Sequence, residues 1–231
     1  MAVVVALMSM LLMSAVGAAV VLTTSAETAI AVHFSDAQAA VYAAEAALEL
    51  AIAEIATQSD WTPLLDGSLP SALAREPPSG AWTLADGSPL DLDRLVNRLN
   101  CRNAVGCTAS SLVALTPQRR WGANNPVWQL YAYGPLATFL PGLPGSPGPP
   151  GGANDASQYV VVLLADDPSE NDGDPRRDGS DAANAGSGVL VVRSESFGPR
   201  GSHQVVEATV ARTPPAAAPN SVRVWSWRLL Q

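Results

Sequence analysis

The residues of this chain able to do chemistry are few and scattered. Cys101 and Cys107 close the segment CRNAVGC, and His33 and His203 are the two histidines among 231 residues. The cysteine spacing is wrong for the Cys-x2-Cys half of a zinc site and no second ligand pair follows, which leaves a disulfide or two free thiols. With so few histidines, His-based metal centres and nucleophile triads lack parts. No Gly-x-Ser-x-Gly elbow, phosphate loop or dinucleotide fingerprint occurs. The expectation is a protein with no enzymatic activity and with no catalytic, cofactor-binding or metal site.

Weaker candidates have structural explanations. Asp166 to Asp181 (DDPSENDGDPRRDGSD) holds seven carboxylates and two arginines, and oxygen donors in a loop suit calcium. Setting Gly173 or Gly179 at the sixth position of an EF-hand loop puts Pro168 at the first position or Arg176 at the third, and neither frame has a glutamate at the twelfth. The run therefore reads as a solvated, turn-rich loop. Arg119-Arg120-Trp121, and Arg193 near Glu195, read as surface charge and stacking. The six tryptophans read as sheet core, and His33 as an interfacial helix residue.

The elements that carry these residues follow from composition taken by segment. The chain is 48% hydrophobic and 15% charged with a net charge of −8, which excludes a disordered acidic protein and a basic nucleic-acid binder. All 13 cationic residues are arginine, beginning at Arg75. Six of the carboxylates fall within residues 27–60, where there is no cation. Residues 2–22 (AVVVALMSMLLMSAVGAAVVL) carry no charge and are long enough, at about 1.5 Å per helical residue, to cross a hydrocarbon core of about 30 Å. A cleaved signal peptide would need a basic start and a shorter apolar core.

Residues 27–58 contain neither Pro nor Gly and are rich in alanine, so the span is expected to continue into water as one helix, roughly 80 Å long in all. Ile30, Phe34, Ala37, Val41, Ala44, Leu48, Ile52 and Ile55 recur every three or four residues and predict an apolar stripe. Glu27, Glu45 and Glu49 then lie on one flank, with Asp36 and Glu54 nearly opposite the stripe. The helix is expected to end near Ser59-Asp60, ahead of Pro63 and the Asp66-Gly67 turn.

This N-terminal quarter resembles type IV pilins and pseudopilins, most closely the PilX-like minor pilins. The residues that carry the resemblance are Ala2 to Met8, Glu27-Thr28-Ala29-Ile30-Ala31, Phe34-Ser35-Asp36-Ala37-Gln38, and Val41-Tyr42-Ala43-Ala44-Glu45-Ala46-Ala47-Leu48-Glu49. It departs from the family in two ways. The basic leader ending in Gly is not seen, so Met1 is an internal start or the chain is a processed or truncated one. The glutamate that major pilins carry near the fifth mature position is Val5 here, which points to a minor subunit.

The resemblance implies a non-enzymatic minor pilin or pseudopilin of a type IV pilus or related secretion filament. It would be held in the bacterial inner membrane by a single pass, with a periplasmic C-terminal domain, and would reach the pilus after assembly. Its partners through the N-terminal helix would be membrane lipid, other pilin subunits and the inner-membrane assembly machinery, with no nucleic acid. The alternative is a single-span anchored binding domain that joins no filament. Export makes a Cys101–Cys107 disulfide the expected state of that pair.

For the rest of the chain, a short helix is expected from Ser88-Pro89-Leu90-Asp91, with Ser88 as cap. Strands are expected at 81–84, 127–133, 159–165, 189–196, 204–212 and 222–229. No helix separates the late strands, so the fold class is α+β: a long helix (residues 1–58) packed by an antiparallel sheet in one globular domain (residues 59–231). Pro141 to Gly152 is expected to form a stiff exposed loop.

Overall fold

The computed structural model describes residues 1–73, 81–84, 86–139, 158–179, 184–213 and 221–230. The Pro-rich run 141–152 and Asp181 lie outside them. The first element is one unbroken helix, α1 (Ala2–Ile55), of 54 residues. Its polar residues do not interrupt the apolar stretch. The hydroxyls of Ser9, Thr23, Thr24, Ser25 and Thr28 each donate to the carbonyl four residues earlier, at 2.6–2.9 Å. A hydroxyl bonded inside its own helix can enter hydrocarbon without an orphaned donor.

The second half of α1 packs on a five-stranded antiparallel sheet whose order follows the sequence: β3 (Gln129–Pro135), β4 (Tyr159–Asp166), β5 (Val189–Phe197), β6 (His203–Arg212) and β7 (Val222–Leu230). α1 lies across β4, β5 and β6. It buries Ala40, Ala43, Ala44, Ala47, Leu48, Ala51 and Ile55 against Val160, Val162, Leu164, Leu190, Val192, Val206, Ala208 and Val210. All eight residues of β4 are buried, because the opposite face is covered as well. There the hairpin β1 (Ala81–Thr83) and β2 (Pro89–Asp91) and helix α3 (Leu92–Cys101) pack on Tyr133, Tyr159, Val161 and Leu163. Asn100, at the end of α3, donates to the Trp128 carbonyl at 3.0 Å and accepts from the Trp128 amide at 2.8 Å, which locks helix to sheet. Short helices α2 (Thr62–Leu65), α4 (Ala109–Leu112) and α5 (Leu136–Phe139) fill the connections.

A long apolar helix and an antiparallel sheet are therefore present, and five local expectations need correction. The buried face of α1 is rotated from the predicted stripe toward the alanines, leaving Val41 and Ile52 only partly buried, while Ile30 and Phe34 lie in the first 35 residues, which are exposed all round. Periodicity gives weight to large side chains, whereas close approach to a sheet selects small ones. For the same reason Asp36 and Glu54 border the packed face instead of opposing it. Arg200 donates from Nε and Nη2 to Asp36 at 2.6 Å, and Glu54 accepts from Ser71 Oγ and from the Ala72 amide.

α1 ends at Ile55, not near Ser59, because the buried Trp61 folds back to donate its indole N–H to the Ile55 carbonyl. Pro63 then sits in the first turn of α2. Ser88 does not cap α3. Asp91 does, accepting from the Arg94 amide at 2.9 Å, because Pro89–Asp91 is taken up by β2. The tryptophans also divide. Trp61 is fully buried, but Trp121, Trp225 and Trp227 are exposed at 47%, 61% and 48%.

Replacing Ala47 by Leu forces a larger group into the helix–sheet contact and is expected to destabilise the domain by about 1–3 kcal/mol. Phe34→Ala should change stability by no more than about 0.5 kcal/mol. Thermal unfolding of the two variants checks that the alanine face, and not the exposed first 35 residues, carries the packing, and equal losses would contradict it.

Candidate functional site

Three places gather the polar residues. The first is the pair singled out from the sequence: Cys101, the last residue of α3, is bonded to Cys107 with Cα atoms 5.7 Å apart. The intervening turn uses left-handed backbone at Arg102 (φ 55°) and Gly106 (φ 59°). The crosslink closes the end of α3 beside Asn100, where the helix is fastened to the sheet.

The second is a charged row across the outer face of the sheet. Arg193 on β5 donates to Glu195 at 2.7 Å and lies 3.8 Å from Glu207 on β6. Glu207 also pairs with Arg228 on β7, and His203 Nε2 lies 2.9 Å from Glu195. The antiparallel register places Arg193, Glu207 and Arg228 side by side on one face. Burial pushes the Glu195 carboxyl up, but His203 and Arg193 outweigh it and hold the group below its ordinary value. This network is partly buried, not the surface charge expected of Arg193. Arg119 is likewise buried, donating to the carbonyls of Pro126 and Leu112. Beside the row runs a cleft of about 570 Å³ lined by Leu90, Arg94, Leu95, Arg98, Phe197 and His203.

The third is the acidic loop, which is not simply solvated. Asp166 and Glu170 are 3% and 1% exposed. Glu170 shares a hydrogen bond with the Asp166 carboxyl and accepts from Asn184 at 3.1 Å. A Cβ on Gly186 would fall 2.4 Å from the Glu170 amide nitrogen, so the chain passes where only glycine fits. Asp178 accepts from the Gly188 amide at 2.7 Å and pairs with Arg212, whose guanidinium lies 4.3 Å from the centre of the Trp61 ring. Burial, with the Glu170 charge adding, pushes the Asp166 carboxyl up to about 9, and burial also raises Glu170 and Asp178. Among the described residues no group of three His, Cys, Asp or Glu side chains is placed to hold a metal ion.

His33 lies exposed on α1, and His203 opens β6. Neither the Asp36–Arg200 clamp nor the Asp166–Glu170 contact was legible beforehand. The first joins residues 164 apart, and the second depends on how the loop closes. Comparison of the chain with protein-family models, with curated proteins and with solved structures finds no match.

The raised Asp166 pKa has a definite sign. Between the ordinary value of 3.8 and about 9 the folded chain holds a proton that the unfolded chain has lost. This group's contribution to stability therefore falls as pH rises through that window and levels off above it. Denaturant titrations of wild type and Asp166→Asn across pH 5–9 should show the decline flattened in the variant. Equal slopes would count against the assignment.

Proposed function

We propose that the chain is a minor-pilin-type subunit, without enzymatic activity, of a type IV pilus or related secretion filament, held in the bacterial inner membrane before assembly. The observation that carries this reading is the continuity of α1. Its first 35 residues are exposed, and the same helix then becomes the central packing element of the domain. Among the described residues one helix is long and apolar enough to cross a membrane, and a simple anchor needs only that span and a tether. An unbroken helix instead makes span and domain one rigid body, which suits a subunit that must leave the bilayer as a unit.

In this mechanism residues 2–22 rest in lipid and then exchange lipid contacts for contacts with equivalent helices of other pilin subunits, delivered by the inner-membrane assembly machinery. The exchange is feasible only where partner helices offer equal apolar contact, and small residues such as Ala15, Gly17, Ala18 and Ala19 permit close approach. The domain stays on the outside of the fibre. The cleft beneath α3 is the feature that favours the second reading, an anchored binding domain outside any filament.

Val16→Asp should block insertion or assembly, at a cost of about 2.5–3.5 kcal/mol for a charge at the centre of the span. The filament reading fails if this variant enters purified filaments at the normal level. A cysteine at Ala19 should cross-link to pilin helices. Labelling from lipid alone, with no cross-linked product, would favour the anchored domain.

A further inference from the structure

The cleft of about 570 Å³ beside the charged row lies on the face of the sheet away from α1. Leu95 and Leu99 of α3, with Leu90 of β2, give it an apolar wall. Arg193, Glu195 and Phe197 of β5 rise from its floor, because alternate residues of a strand share one face. His203 stacks on Phe197 with ring centroids 4.5 Å apart and planes 10° from parallel, so the far side is a flat aromatic plate. An apolar lining with a few converging charged groups, at this volume, is the usual make-up of a small-molecule site.

The charges in the cleft select the ligand. Three arginines line it, Arg94, Arg98 and Arg193, against two carboxylates, Asp91 and Glu195. Both carboxylates are engaged. Glu195 is buried and accepts from Arg193 at 2.7 Å, with His203 Nε2 at 2.9 Å, and Asp91 caps α3 through the Arg94 amide. Arg98 is exposed, and its side chain has neither an ion pair nor a hydrogen bond among the described residues. Arg94, one turn earlier on the same side of α3, has only an exposed pair with Asp91 at 3.8 Å, a contact too weak to hold it. One positive charge is thus left unmatched in a chain whose net charge is −8. A guanidinium is a planar fork that fits a carboxylate. An ammonium group would find no free carboxylate in the cleft, so a zwitterion fits poorly, and a wholly apolar molecule would make no use of Arg98.

We propose that the cleft binds a small monocarboxylate with an apolar body. Its carboxylate is held by Arg98, assisted by Arg94, and its body lies between Leu95 and Leu99 on one side and the Phe197–His203 plate on the other. The site goes beyond the filament reading and does not depend on it, because α1 packs on the opposite face of the sheet.

The test titrates phenylacetate into the full-length chain in phosphatidylcholine nanodiscs at neutral pH, read by calorimetry against empty nanodiscs. Phenylethanol, which lacks the charge, acetate, which lacks the body, and phenylalanine, which adds an ammonium, should each bind at least about fivefold more weakly. Arg98→Gln should weaken phenylacetate binding roughly tenfold. Arg98→Lys, which keeps the charge without the fork, should lose roughly threefold, and Arg223→Gln on β7 should lose nothing. The proposal is overturned if phenylethanol matches phenylacetate, if Arg98→Gln binds like wild type, or if inorganic phosphate displaces phenylacetate at equal concentration. The ligand comparisons use the unaltered chain, so they decide the matter even where a substitution disturbs folding. None of these outcomes moves the Ala19 cross-links, which separates failure of this site from failure of the filament reading.

Discussion

The structure depends on one helix serving two solvents without a break. The lower part of α1 must be apolar all round, while the upper part must be small on one side and polar on the other. Alanine satisfies both demands. It favours helix, carries no polar atom into lipid and lets a sheet approach closely. The seven residues that α1 buries on the sheet include five alanines. A β-branched or aromatic stripe in their place would push the sheet outward and weaken the coupling of span to domain.

That close contact leaves the helix with little depth of its own to bury, and polar clamps add to it. Asp36 with Arg200 fastens α1 to the β5–β6 turn, and Glu54 with Ser71 and Ala72 fastens it to the segment after α2. The carboxylates of the packed half of α1 therefore have two fates. Those bordering the sheet hold the domain to the rod, and those facing away remain available. On the opposite face, Asn100 and the Cys101–Cys107 crosslink do comparable work for α3.

The sheet also determines where reactive-looking residues end up. Arg193, Glu207 and Arg228 come from three strands and meet because antiparallel register brings every second residue to one face. Asp166 is raised because it occupies the buried end of β4, while Asp167, one residue on, is half-exposed and accepts from Ser169. Composition treats these two aspartates alike.

Much of the architecture was legible in the sequence, since it follows from short-range physics. The absence of Pro and Gly from residues 27–58 predicts the continuous helix, β-branched runs predict the five late strands, and the close pair of cysteines needs no distant partner. The rotation of α1 was decided only when the sheet chose the alanine face over the face bearing Val41 and Ile52. Burial of Glu170 and exposure of Trp225 and Trp227 were likewise settled by tertiary structure. A residue's hydrophobicity states what burial would gain, but whether a neighbour arrives to bury it depends on strand order and on where a helix stops. Here α1 packs chiefly on β4, β5 and β6, and most of the aromatic strand β7 stands exposed at the edge.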